Sequence, residues 1–174
     1  MPDAAFLTVS RAAADRVNTV ATVNLFQDQE PLGSIAYDND NGPKPVFVNM
    51  RVMITQNRDK EIGLVNGRKA KVVAMHNASL FLQLDNNRTV AVYPVTEKVD
   101  GISKTVYPIV PAYASTICKV QGQTLGKMIL WLDCPVVPCG TAYVALSRIR
   151  TLESLHFFTK TSPEQYKPVE HFAV

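Results

Sequence analysis

At 174 residues, with 47% hydrophobic and 19% charged side chains, the chain has the size and balance of one ordinary domain with room for a small insert, which excludes a disordered or fibrous polymer. Its net charge of +3 is a mild basic bias that tolerates a polyanionic partner without demanding one. No apolar run approaches the roughly 18 residues of a membrane span and the N-terminus lacks the layout of a signal peptide, so the expectation is a soluble intracellular protein without a membrane partner.

Ala4 to Val9 (AAFLTV) reads as a short buried strand. From Ser10 to about Val23 the apolar residues Ala13, Val17, Val20 and Ala21 recur at helical spacing. Gln27 to Pro45 is rich in Asp, Asn, Gly and Pro, as expected of an exposed excursion. Val46 to Thr55 predicts a strand, followed by β-rich runs at Gly63 to Met75 and Ser79 to Asp85, the turn Asn86-Asn87, and another run at Arg88 to Val95. In the second of these, Leu80, Leu82 and Leu84 alternate with Phe81, Gln83 and Asp85. Short strands this closely spaced suggest a small barrel or meander over residues 46–110.

After Pro111 the pattern changes. Ala112 to Val120 predicts a short helix stopped by Gly122, and Lys127 to Asp133 (KMILWLD) a strand buried on both faces. Pro135 and Pro138 break the chain, Thr141 to Ser147 predicts a helix, and Ser154 to Lys160 a strand. Cys118, Cys134 and Cys139 are an odd number in a chain too large to need staples, which predicts reduced thiols. Only PVVP separates the last two and no second ligand pair accompanies them, so no metal site is expected. The organisation that results is an α/β layer in two pieces, 1–45 (with the excursion 27–45) and 111–160, interrupted by the β insert and followed by a peripheral tail, 161–174.

Two segments carry a specific likeness. TICKVQGQTL (Thr116 to Leu125) resembles motif V, and TAYVALSRIRTLESL (Thr141 to Leu155) motif VI, of superfamily 1B helicases, the group containing the petite-integration-frequency helicases and RecD. In the same order, Phe6 to Asn18 resembles motif IV and Arg51 to Val73 the start of that family's inserted Src-homology-type barrel. The resemblance implies a RecA-like parallel sheet interrupted by this barrel: the C-terminal half of a motor that moves 5′ to 3′ on DNA. It also implies that Arg148 and Arg11 serve the γ-phosphate and that Gln121 and Gly122 lie with Arg148 on the nucleotide side. Ser115, Thr116 and Lys119 would hold single-stranded DNA. A guanidinium suits charge developing on a phosphoryl group better than an ammonium does, although an arginine's commonest role is a solvated salt bridge of little worth. The sequence departs from the family at Cys118, where histidine is usual, and at Thr141, where glutamine is frequent.

On the insert, Arg68 and Lys69 form a basic loop that is either a phosphate contact or a solvated hairpin. Phe81, Tyr93, Tyr107 and Tyr113 are candidates for base stacking, with core packing the commoner fate of such rings. The phosphate loop that would bind ATP is absent. GQTLGKM (Gly122 to Met128) has one residue too few between its glycines and precedes a strand rather than a helix. ATP and Mg2+ are therefore expected only in a complete protein, whose first RecA-like domain is the partner this chain lacks. Two other readings remain open: a non-enzymatic helicase remnant that binds DNA or protein, and an unrelated Src-homology-type adaptor, which accounts for the middle of the chain but not its ends.

Overall fold

The computed structural model describes residues 4–38, 42–99 and 101–166. Two compact units make up the chain, one taking in its early and late residues, up to Val20 and from Tyr113, the other Ala21–Ala112. The second unit is thus an insertion in the first, and it takes in the stretch 27–45 as well as the strands that follow.

The first unit begins with β1 (Ala5–Thr8) and α1 (Arg11–Leu25). Ser10 starts the helix: its Oγ accepts the Ala13 N–H at 3.1 Å, satisfying one of the amides that every helix start leaves over. Of the apolar face expected here, Ala13 is buried, but Val20 is 58% exposed and the polar Asn18 is buried instead.

In the inserted unit, β2 (Gly33–Ala36) and β3 (Pro43–Val46) form an antiparallel ribbon. The expected excursion therefore includes paired strands. Its turn-forming residues disguised two inward side chains, Ile35 and Tyr37, that are almost completely buried; residues 39–41 lie outside the described ones. The single strand expected from Val46 to Thr55 is broken, because Asn49 adopts a left-handed φ of 65° and β4 (Arg51–Ile54) starts only after it. Next come β5 (Lys69–His76), β6 (Ser79–Leu84) and β7 (Thr89–Val92), then the hairpin of β8 (Val95–Val99) with β9 (Ile102–Val106). With β10 (Ile109–Pro111), the larger strands make a five-stranded antiparallel sheet in the order β10-β4-β5-β6-β7. Leu80, Leu82 and Leu84 all point into its core, as the alternation requires.

Back in the first unit, β11 (Ala114–Thr116) is followed by a 3₁₀ turn (Ile117–Val120), β12 (Met128–Trp131), α2 (Thr141–Leu146) and β13 (Leu155–Phe157). The sheet order is β11-β1-β12-β13 and every neighbouring pair is parallel, so the fold is α/β with a β-rich insert. The expected helix from Ala112 to Val120 is instead a strand and a tight turn. Pairing of β11 with β1 overrides local preference there, a tertiary effect that periodicity does not report. Met128 and Leu130 are fully buried beside Leu7 in a core that includes Ile117, Ala142 and Ala145, whereas Ile129 and Trp131 on the other face are only half-buried. β12 is thus buried on one face rather than two. The start of the tail is not peripheral: Gln165 Nε2 donates to Leu132 O and Cys134 O at 3.0 and 2.9 Å, and Tyr166 packs on the core. Residues 167–174 lie outside the described ones.

Candidate functional site

Parallel strands gather their connecting loops at two edges, and α/β proteins place ligands at the carboxyl-end edge. Here that edge brings together the Val9-Ser10 turn with Arg11, the 117–122 turn and Asp133. Asp133, two residues past the end of β12, accepts the Val9 N–H at 2.6 Å and the Ser10 N–H at 3.2 Å. Burial pushes its carboxyl up, but hydrogen bonds from Ser10 and Val9 outweigh that and hold it below the usual carboxylate range. The negative charge also suits the start of α1. Burial and then the Asp133 charge push the neighbouring Cys134 thiol up, and that thiol donates to Asp133 Oδ2 at 3.7 Å. A strand-end carboxylate after an apolar run was the only sign of Asp133 in the sequence, and its partners are more than a hundred positions away. Asn18 escaped notice for the same reason. Its carboxamide oxygen accepts the Tyr113 and Ala114 N–H groups, and its nitrogen donates to Ala114 O, so it satisfies the outer edge of β11.

Arg11 is exposed and, among the described residues, its guanidinium has no hydrogen-bond or ion-pair partner. The amides beside it that would cradle an anion are already held by Asp133. Arg148 lies elsewhere. Leu125 N–H donates to Arg148 O at 2.7 Å, and Leu125 bridges to Ile149 in parallel, ahead of the amino ends of β12 and β13. The backbone of Arg148 thus runs beside Leu125, ahead of β12 and β13, while Arg11 follows the carboxyl end of β1. Arg148 closes α2: its Nε donates to Val144 O at 3.1 Å and its Nη2 to Ser147 Oγ at 2.8 Å, while Ser147 Oγ donates to Val144 O. This holds the guanidinium on a helix end, with Nη1 unengaged among the described residues.

The 117–122 turn is anchored by buried Ile117 and Val120, with Cys118, Lys119, Gln121 and Gly122 exposed. Gly122 has φ 83° and nothing within 4 Å of where a Cβ would stand, so the turn needs glycine for its backbone, not for space. Ser115 and Thr116, expected together on a helix, are consecutive residues of β11 facing Leu7 and Thr8 of β1. The pleat directs them to opposite faces. On the insert, Arg68 is engaged: it pairs with Asp85 through Nε and Nη2 and reaches Gly63 O through Nη1. That hydrogen bond and charge hold the Asp85 carboxyl below its ordinary value. Lys69 is exposed on β5. Among the candidate aromatics, Tyr107 is buried and donates to Ala78 O at 2.8 Å, with burial pushing its hydroxyl pKa up. Phe81 and Tyr113 are half-buried, and Tyr93 is 63% exposed.

Cys118, Cys134 and Cys139 are all free. Among the described residues no cluster of three or more His, Cys, Asp or Glu could hold a metal ion. No described helix is long and apolar enough to cross a membrane.

No protein-family profile matches the chain. It is 35% identical over 116 residues to the ATP-dependent DNA helicase Pif1 of Bdellovibrio bacteriovorus, which is 63% of this chain and 26% of that protein. It is 36% identical over 116 residues to the PIF1 helicase of Danio rerio, 62% of this chain and 18% of that one. Its fold overlays, at a TM-score of 0.79 and 26% identity, on a chain of a structure described as the basis for DNA unwinding at forked double-stranded DNA by two coordinating Pif1 helicases, covering 97% of this chain and 42% of that one. A Bacteroides Pif1 bound to single-stranded DNA has the same fold, with a TM-score of 0.75 at 24% identity over 97% of this chain and 43% of that one. The chain thus spans well under half the length of the relatives it matches.

Proposed function

Because this chain is related to the Pif1-type helicases of superfamily 1B, we propose that it is the C-terminal motor domain of an ATP-dependent 5′–3′ DNA helicase. It offers Arg148, with Arg11 as a second arginine, to the γ-phosphate of ATP that a first RecA-like domain holds with Mg2+, and Gln121 and Gly122 lie on the path between that nucleotide and the DNA. Ser115, Thr116 and Lys119 hold single-stranded DNA by its backbone, a contact that fixes position without reading sequence. On the insert Lys69 is the corresponding contact, and Arg68 joins it only where its pair with Asp85 opens.

The observation that carries this reading is Arg148. Phosphoryl transfer is catalysed by positioning and fixed positive charge. A guanidinium tied to Val144 O and Ser147 Oγ at the end of α2, with no carboxylate partner among the described residues, is charge held ready for an anion outside the unit. Arg11 has the exposure but not the anchoring. Bound to the other domain, ATP would develop negative charge on its γ-phosphate as water attacks it, and this chain's part is to meet that charge.

The test is to join the chain to a Pif1-type first domain and measure DNA-stimulated ATP hydrolysis. Arg148→Ala should lower kcat by about 10³-fold or more, the scale of an arginine finger, and Arg148→Lys should not restore it. Hydrolysis unchanged by Arg148→Ala removes the proposal. A second reading, a non-enzymatic module, is favoured by Cys118 and Thr141 and by the Asp133 carboxylate on the amides beside Arg11. It requires that the joined protein bind DNA without accelerating hydrolysis.

A further inference from the structure

The β-rich unit contains a cavity that no helicase role above uses. Its volume is about 390 Å³, inside the ~300–1,000 Å³ of ordinary ligand pockets. Ile54, Leu64 and Val92 form its floor, each less than a tenth exposed, so the floor belongs to the core and cannot collapse. Tyr93, Arg58 and Thr96 are its exposed members. Pro94 follows Tyr93 directly and confines its backbone to extended conformations, which narrows where the ring can point. Arg58 has its backbone fixed by an N–H bond to Leu64 O at 2.9 Å, and its guanidinium has no hydrogen-bond or ion-pair partner among the described residues.

An apolar floor, one exposed ring and one cation, with no carboxylate in the lining, describe a ligand that is flat and apolar at one end and anionic at the other. We propose that this cavity takes an unstacked base of single-stranded nucleic acid, the base against Tyr93 and the neighbouring phosphate on Arg58. Aromatic rings that stack on bases beside a positive charge are the general means of holding single strands without reading sequence. A polyproline peptide is the other flat apolar ligand of small barrels, but such grooves are lined by several aromatic rings, and here the lining has one. The site deepens the proposed single-strand role and rests on it, but it uses none of the residues named there.

Fluorescence anisotropy of a labelled single-stranded thymidine oligonucleotide with the full 174-residue chain tests it. Tyr93→Ala should weaken binding roughly 5- to 150-fold, the range of one lost stack, and Tyr93→Phe should stay within about twofold of the parent. Since Tyr93 is 63% exposed, its removal leaves the fold intact, which circular dichroism verifies. Arg58→Ala should reduce the slope of log affinity against log salt by about 0.7, one phosphate of a single strand. Unchanged affinity in both Tyr93→Ala and Arg58→Ala overturns the site. So does a proline-rich peptide whose binding depends on Tyr93 while oligonucleotide binding does not. If Ser115→Ala, Thr116→Ala and Lys119→Ala leave binding intact while Tyr93→Ala weakens it, the cavity stands and the proposed grip of the parallel-sheet unit falls. A parent chain that does not bind the oligonucleotide overturns both.

Discussion

The two units solve burial differently. In the β-rich unit Val46, Val52, Val72, Leu80, Leu82 and Ile109 are all fully buried, and its sheet closes a core of its own. The parallel-sheet unit buries Leu7, Met128 and Leu130 on one face, but on the other Phe6 meets Phe158 at 5.2 Å and Trp131 meets it at 5.3 Å without any of the three being fully covered. Phe158 remains 56% exposed. Parallel sheets ordinarily have both faces covered. The difference teaches where to look for work: the incompletely covered unit carries Arg11, Arg148 and the 117–122 turn, whereas the self-sufficient unit offers a preformed cavity.

The most severe break of this contrast is a cavity cut into the self-sufficient core. Leu82→Ala should destabilise the β-rich unit by about 2–5 kcal/mol, the cost of a buried leucine truncated where neighbours cannot collapse. Trp131, the only tryptophan, reports the parallel-sheet unit alone. If the units are separate in stability, the far-ultraviolet melting of Leu82→Ala drops in temperature while the Trp131 emission transition moves little. Both transitions shifting together would show that the units unfold as one and that the contrast is one of appearance.

A smaller effect sharpens the picture of the carboxyl-end edge. Asp133 in the folded chain stays ionised to lower pH than in the unfolded chain, whose aspartates titrate near about 3.9. Its contribution to stability is therefore present above that value and is lost as pH falls through the lower folded-state value. At neutral pH Asp133→Asn should cost about 1 kcal/mol, comparable with losing a helix-start partner. The gap between variant and parent, followed by Trp131 emission, should narrow as pH drops below about 4. A gap that is the same at every pH would mean that Asp133 acts by shape rather than charge.

These residues also mark what the sequence discloses. Leu80, Leu82 and Leu84 announce their strand because the alternation is local, and Thr141 to Ser147 reads as a helix for the same reason. β11 does not, since what makes it a strand is β1, more than a hundred positions earlier, and Asn49 interrupts the run expected from Val46 to Thr55 through one backbone angle that composition leaves invisible. In the candidate site, Arg148 stands out in the sequence just past the apolar face of its helix, but that Val144 O and Ser147 Oγ hold it is seen only in the structure. That Ser115 and Thr116 face apart, that Arg68 is taken by Asp85 and that Asp133 closes the Arg11 turn are facts of long-range packing. So is the exposure of Tyr93 beside the burial of Tyr107, two rings that composition alone cannot tell apart.

The finest test separates the two basic residues of the insert. Arg68 holds Asp85 with two of its nitrogens, so a phosphate would have to displace a carboxylate already in place, and the net gain from that exchange is small. Lys69 is exposed one position along. Lys69→Ala should therefore lower the salt slope of single-strand binding by up to about 0.7, whereas Arg68→Ala should leave it nearly unchanged. Asp85→Asn is the informative third variant: freeing the Arg68 guanidinium should raise affinity at low salt and steepen the slope by the same amount. If Arg68→Ala flattens the slope as much as Lys69→Ala does, then the Asp85 pair opens on binding, and the β-rich unit is a more adaptable surface than its closed core suggests.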